Sequence, residues 1–412
     1  MDLHNRGWTC ATVTDSTGHT VPSQVCDGVL WFRGTVPSVG WAVFHVIRSE
    51  EQPSGATDAS LVFHTLHGEL QLDPVTGRIA RLRDLRTGRE LLDRLEHGNT
   101  LRLYTEEGHW KSSWVLGPIR SVEHLRSRIV SVRRGPVADT IRLECAFGSS
   151  ALKQTIVVYH HTDLVEFRTR LNWAERGTER DGVPMLRAAF PTTLGASVVR
   201  CEVPFGSVDR PANGEECPAL RWAGISDGRH GIALLNDGKH GYRAMGGNLE
   251  LTLIRSPYQP DRAADQGSHE FTYAVLFHRG KTGGPEVVRA GWELNTPPVV
   301  VPAAPGTGSV STGTPASDGY PVGVPSSLLR CTAASVVVSA IKQAEDGDGI
   351  ILRAYEACGR RVSCGFVVGI PVSAVVETDL LERNGRRIRT DGHAFNVAFK
   401  PWEIRTFRLR PG

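Results

Sequence analysis

The chain has 412 residues, 40% hydrophobic and 22% charged, a balance that suits a folded globular protein and excludes a disordered one. Its 47 Lys and Arg against 44 Asp and Glu leave a net charge of +3, so charge alone gives no case for nucleic acid or an anionic membrane as partner. No apolar run approaches the ~18 residues of a membrane helix, and the start MDLHNRGWTC lacks the basic and apolar stretches of a secretory signal, so a cytoplasmic protein is expected.

Read in chain order, the dominant period is two. The first 55 residues hold two or three strands that complete or precede a large block. Turn chemistry follows at Asp73-Pro74 through Gly77 and at Arg86-Thr87-Gly88. Helical spacing is confined to two short stretches, Arg89 to His97 and Val122 to Ile129. From Leu164 to Trp173 the residues alternate strictly, with Val165, Phe167, Leu171 and Trp173 on one face and Glu166, Arg168, Arg170 and Asn172 on the other. Phe271, Tyr273, Val275 and Phe277 repeat the pattern, as do shorter runs at 249–254, 335–341 and 394–410. Further turns lie at Asn236-Asp237-Gly238, Gly246-Gly247-Asn248 and Asn384-Gly385. Many short strands between such turns predict an all-β chain of antiparallel sandwiches. The stretch 297–327 is rich in Pro, Gly, Ser and Thr and reads as a linker. The expected order is an N-terminal β segment at 1–55, a large β-sandwich at 56–296, the linker, and a smaller C-terminal β-sandwich at 328–412.

The eight cysteines, at 10, 26, 145, 201, 217, 331, 358 and 364, include no CxxC pair of the kind that zinc ribbons need. They read as mostly reduced thiols, with Cys358 and Cys364 close enough in sequence to meet across a hairpin. Metalloprotease, P-loop, GxSxG and dinucleotide motifs are all absent. Neighbours on a strand point to opposite faces, so His160 and His161 are poorly placed to share one metal. No catalytic or metal-binding residue is assigned from these patterns.

The densest polar constellation comprises NDGKHGY (236–242), IRSPYQPD (254–261) and ADQGSHEFTY (264–273). Asn236, Asp237, Lys239, Tyr242, Arg255, Asp265 and His269 are the candidates to contact a ligand there, through charged hydrogen bonds to a polyol. The competing reading is a salt-bridged turn network that closes the sandwich edge. Gly267 between Asp265 and His269 suggests a self-bonded turn, whereas Lys239 and Arg255 have the reach to extend beyond the sheet. Asp261, Asp265 and Glu270 supply carboxylates for a weaker reading as an independent hydrolase. Tyr104, Trp110 and Trp114, in YTEEGHWKSSW, form an aromatic group that either stacks on sugar or packs in a core.

The stretch 203–275, together with LDPVTGRIARLRDLRTGREL (72–91), KQAEDGDGIILRAYEACG (342–359) and FKPWEIRTFRLR (399–410), resembles the C-terminal half of the α-mannosidases of glycoside hydrolase family 38. The resemblance implies a supersandwich of the galactose-mutarotase type in the large block. It also implies an α-mannoside or oligosaccharide as ligand, and a zinc-dependent catalytic module that lies upstream in the family and outside these residues. No cofactor is therefore expected on this chain, zinc being implied for that module alone. The expected partners are a separate catalytic chain or a second copy, with neither nucleic acid nor membrane. The alternative is a free-standing β-sandwich that binds carbohydrate or a partner without hydrolysis. His240 stands where relatives often carry Tyr, and YTEEGHWKSSW departs from the relatives' aspartate- and tryptophan-rich segment.

Overall fold

A computed structural model describes residues 8–49, 60–302 and 326–412. Most of the expected linker, 303–325, lies outside the described residues. The chain divides into two compact units, one of residues 54–297 and one combining 1–53 with 298–412.

The unit of residues 54–297 is built on two large antiparallel sheets. In the nine-stranded sheet, Leu164–Trp173 and Gly267–Arg279 pair near the centre, with Phe167 opposite Tyr273. The alternation read from the sequence is the burial pattern observed: Val165, Phe167, Leu171 and Trp173 are at most 1% exposed. The six-stranded sheet runs in the order Ile119–His124, Thr100–Glu106, Val183–Pro191, Asn248–Arg255, Gly241–Met245 and Asn213–Pro218. The two sheets bury Phe167 against Phe190, ring centroids 5.6 Å apart, and Phe167 stacks on Tyr273 at 4.9 Å. Removing such apolar side chains from water is the main driving term for this sandwich.

Two short stretches with helical spacing form strands and turns instead. Arg89–Glu90 pairs with Asp84 and Arg83, and Val122 to Ile129 spans parts of the strands Ile119–His124 and Arg128–Arg133. A helix of two turns is marginal by itself, whereas neighbouring strands here supply hydrogen-bond partners for Arg89–Glu90, Ile119–His124 and Arg128–Arg133. A helix that periodicity did not show lies at Pro285–Asn295. Pro285 opens it, Glu286 suits its N-terminal dipole, and Val287 and Val288 are buried. Gly291 is required where it meets Trp222, because a Cβ there would lie 2.9 Å from the indole.

In the other unit, Leu329–Cys331, Val362–Val368 and Ala394–Phe399 form a three-stranded sheet. Val336–Gln343, Ile350–Glu356, Ile404–Pro411, Val372–Thr378 and Arg386–Ile388 form one of five. Phe366, Phe395, Phe399 and Phe407 share the core of this small sandwich. The N-terminal strands, read in the sequence as completing or preceding the large block, group instead with this unit. Gly40–Trp41 pairs with Ser326–Ser327, and the approach is so close that a Cβ on Gly40 would sit 2.0 Å from the Ser326 carbonyl oxygen.

His278, on the strand Gly267–Arg279, is 3% exposed, and burial pushes its pKa down to about 4 despite a hydrogen bond with the Arg279 carbonyl. In the unfolded chain it titrates near ~6.5. Between these values the unfolded state binds a proton that the folded state refuses, so stability is complete above ~6.5 and falls as pH drops toward 4. Urea melts of the wild type should lose up to ~3 kcal/mol over this window from His278 alone. In His278→Gln the slope with pH should be shallower, and identical slopes in the two proteins would refute the assignment.

Candidate functional site

The seven sequence candidates do not form one site. Asn236 is fully buried, donating from Nδ2 to Tyr242 Oη at 2.7 Å and to the Leu220 carbonyl at 3.1 Å. Its Oδ1 accepts from the amides of Gly238 and Lys239, both at 2.8 Å, which fixes the turn. Tyr242 is equally buried, and burial raises its pKa. These two residues are core, and no ligand reaches them. Asp237 accepts from the Thr272 amide at 2.8 Å. Lys239 lies 4.6 Å from the centroid of Phe271, its pKa lowered by partial burial against the opposing charges of Asp265 and Asp237. His269 Nε2 bonds the Asp265 carbonyl at 2.7 Å, the self-bonded turn expected around Gly267. The loops at 236–242 and 264–273 thus close the sheet edge, and of the candidates on them Asp237, Lys239, Asp265 and His269 lie near solvent.

Arg255 goes elsewhere. Its Nε and Nη2 form a bidentate pair with Glu106 at 2.6 and 2.7 Å, while Nη1 donates to the Ser112 carbonyl at 2.5 Å and Nη2 to that of Val115 at 3.2 Å. Glu106 is 0% exposed, and its Oε2 also accepts from the Gly117 amide at 2.8 Å. Ser112 is fully buried, its Oγ accepting from the amides of Tyr258 and Gln259 at 3.2 and 3.1 Å. One buried ion pair therefore clamps residues 107–118 at three points. The reach of Arg255, read in the sequence as directed toward substrate, is spent on this clamp.

The clamped loop presents Trp110 and Trp114 to solvent, 75% and 70% exposed. Lys111 Nζ lies 4.5 Å over the Trp110 ring. Tyr104, grouped with them in the sequence, is buried and donates to Glu250 at 2.9 Å, so the aromatic group divides into one core residue and two surface indoles. Beside the loop, two buried polar atoms, His109 Nε2 and Tyr258 Oη, lack a hydrogen-bond partner. Unpaired buried polar atoms are costly.

Beneath this loop the outer face of the six-stranded sheet carries a buried ion network. Arg102 stands directly opposite Arg187, and Glu250 lies between them, accepting at 2.6 and 3.2 Å. Asn248 and Arg243 complete the surroundings of Glu250, at 2.8 and 3.5 Å. Burial would raise the Glu250 pKa, but the three arginines outweigh it and hold the carboxyl low. Arg187 also pairs with Glu216, whose pKa burial nevertheless raises. Glu106, Ser112, Glu250 and Tyr258 carry no motif. The signal available was the strand TLRLYTE, with Thr100, Arg102, Tyr104 and Glu106 alternating against Leu101 and Leu103.

Among the described residues no group of three or more His, Cys, Asp or Glu is placed to hold a metal ion. His160 Nε2 faces Asp139 at 3.4 Å, an ion pair rather than a ligand. Asp261 accepts from the Ala263 amide, and Glu270 pairs with Arg170 at 3.0 Å.

This architecture matches known proteins. Residues 65–263 match the glycosyl hydrolases family 38 C-terminal domain, and residues 335–407 the family's C-terminal beta sandwich domain. An alpha-mannosidase G of Dictyostelium discoideum is 27% identical over 353 residues, which are 81% of this chain and 31% of that protein. The human alpha-mannosidase 2C1 is 29% identical over 406 residues, 91% of this chain and 37% of that protein. A solved family 38 protein from Enterococcus faecalis superposes with a TM-score of 0.76 at 16% identity, over 98% of this chain and 53% of that one. The chain belongs to glycosyl hydrolase family 38, of which it carries the C-terminal β-sandwich half. It spans about a third of the length of these curated relatives.

If the clamp is as central as its geometry indicates, Arg255→Ala should destabilise the large unit by ~3–5 kcal/mol, because it leaves the buried Glu106 unpaired. Lys239→Ala should cost ~1 kcal/mol or less, since its pairing is partly solvated. Denaturant melts of the two variants decide the ranking, and equal losses would contradict it.

Proposed function

We propose that this chain is the carbohydrate-contacting half of an α-mannoside hydrolase, supplying a surface for the glycan while the reacting groups come from a separate catalytic module. The observation that carries the reading is the pair of exposed indoles, Trp110 and Trp114, held on a loop whose centre, Ser112, is fully buried. Leaving two indoles in water forgoes ~2–3 kcal/mol of burial for each. A loop so rigidly built that still exposes them is a contact surface. Indole faces accept the apolar C–H side of a pyranose. The relatives named alpha-mannosidases support mannose as the sugar.

Retaining hydrolysis needs a nucleophile and an acid ~5 Å apart across a cleft. Asp261, Asp265 and Glu270 are exposed at turns and strand edges, and Glu270 is engaged with Arg170. The 412-residue chain assayed alone, with or without added zinc, should therefore leave an aryl α-mannoside intact. Turnover abolished by Asp265→Ala would overturn this.

Binding is tested by titrating mannose-terminated oligosaccharides and following tryptophan fluorescence. Trp110→Ala and Trp114→Ala should each weaken binding at least tenfold, with melting within ~0.5 kcal/mol of wild type. Unchanged binding in both variants would move the function to the alternative, a docking surface for a partner chain or second copy, which sedimentation analysis of the same variants then reads. A cytoplasmic location completes the proposal and is checked by cell fractionation.

A further inference from the structure

We infer that Cys331 and Cys364 form a thiol–disulfide exchange site, which a low-molecular-weight disulfide such as oxidised glutathione closes into a bond between the strands Leu329–Cys331 and Val362–Val368. Register brings the pair together: Cys331 lies opposite Phe366, so Cys364, two residues along the same face, is its diagonal neighbour. The sulfurs are 3.0 Å apart, and both residues are thiols. The backbone on either side is pinned, with Thr332 N donating to the Gly365 carbonyl at 2.9 Å and Gly365 N to Thr332 Oγ1 at 2.8 Å. Closure therefore needs side-chain rotation and little backbone movement.

Exposure sets the order of events. Cys331 is partly accessible, whereas Cys364 is 0% exposed. Cys331 is the entry thiol and Cys364 the resolving one. The S–H of one sulfur donates to the other, which holds the Cys364 pKa down to about 7, so the pair gives up its first proton near neutrality. Cys331 keeps the proton of the resting pair, its pKa raised by the hydrogen bond to Cys364, so it first passes that proton to the Cys364 thiolate across the 3.0 Å contact. The Cys331 thiolate so formed attacks a sulfur of oxidised glutathione, whose S–S bond breaks, and the glutathione thiolate released takes the proton back from Cys364. The Cys364 thiolate then attacks the Cys331 sulfur of the mixed disulfide and expels the second glutathione. The two protein thiols lose two electrons and two protons, and oxidised glutathione gains both to become two thiols.

The molecule contains its own comparison. Cys201 and Cys217 lie 3.6 Å apart, one on the nine-stranded sheet and one on the six-stranded sheet. Both are buried, so a soluble disulfide has no approach to either in the folded state. Cys358, the partner that sequence proximity suggests for Cys364, is not the residue the strands bring to it.

The test equilibrates the full chain in graded mixtures of reduced and oxidised glutathione, quenches with acid, alkylates, and maps peptides by mass. A Cys331–Cys364 cross-link two hydrogens lighter than the thiol form is expected, reversed by dithiothreitol, with Cys201 and Cys217 alkylated only after denaturation. The cross-link closes a span of 33 residues, so the oxidised small sandwich should melt at least ~10 °C higher. Cys364→Ser should stall with glutathione on Cys331, and Cys358→Ser should behave as wild type. If Cys364→Ser does not fold, the wild-type map decides alone. Persistence of both thiols in fully oxidised buffer, glutathione retained on wild-type Cys331, or a cross-link to Cys358 would each overturn the inference.

Discussion

The carboxylate of Glu250 is the constraint on which the six-stranded sheet depends. Cross-strand pairing sets Arg102 directly against Arg187, an arrangement that repels unless an anion separates the two guanidinium groups. Glu250 does so from the next strand, at 1% exposure, with Tyr104 and Asn248 satisfying its remaining capacity. A buried carboxylate with fewer partners would protonate, and its low pKa reflects three arginines overcoming its desolvation. Because side chains alternate faces, a one-residue slip of any of these strands would drive charges into the apolar core. The network thus specifies register, whatever its net contribution to stability.

From that register the clamp follows. Pairing of Val183–Pro191 with Asn248–Arg255 shifts by one residue, so that Arg187 faces Thr252 but Leu186 faces Ile254, leaving Leu253 as a bulge. Without the bulge Arg255 would share a face with Leu249 and Leu251, inside the sandwich. With it, Arg255 emerges opposite Met185, on the same face as Glu250 and Glu106. Bulges commonly re-aim one side chain next to a functional surface. Here the re-aimed guanidinium fixes Ser112 and Val115, and so fixes where the two indoles stand.

The fold was legible because burial enforces alternation: Leu164–Trp173 appears in the structure with the bounds and faces that its residues indicate. The helix Pro285–Asn295 escaped because only one narrow stripe of it, Val287, Val288 and Gly291, is buried. The grouping of the N-terminal strands with residues 298–412 was not legible, because pairing between residues 40 and 327 depends on topology, which local pattern does not encode. At the site, the residue types were visible but not their partners. Asn236 looks like a ligand contact in NDGKHGY, yet its side-chain amide holds a turn and Tyr242, and its backbone carbonyl accepts from Asn295 at the end of the helix.

Polar density in a sandwich of this kind marks, first of all, where charges pair with one another. Charges collected at strand ends have short paths to one another, and pairing removes them from the surface. Arg221 with Glu202 and Arg255 with Glu106 both follow this course. What remains available to a ligand is what the fold has no use for inside and still takes trouble to position. Trp110 and Trp114 meet both conditions: neither contributes to the core, and the residue midway between them is anchored by three hydrogen bonds to backbone groups of the 255–259 segment and to Arg255 itself. Rigid presentation lowers the ordering cost of binding, which is the advantage a clamped indole holds over a charged side chain on a free loop.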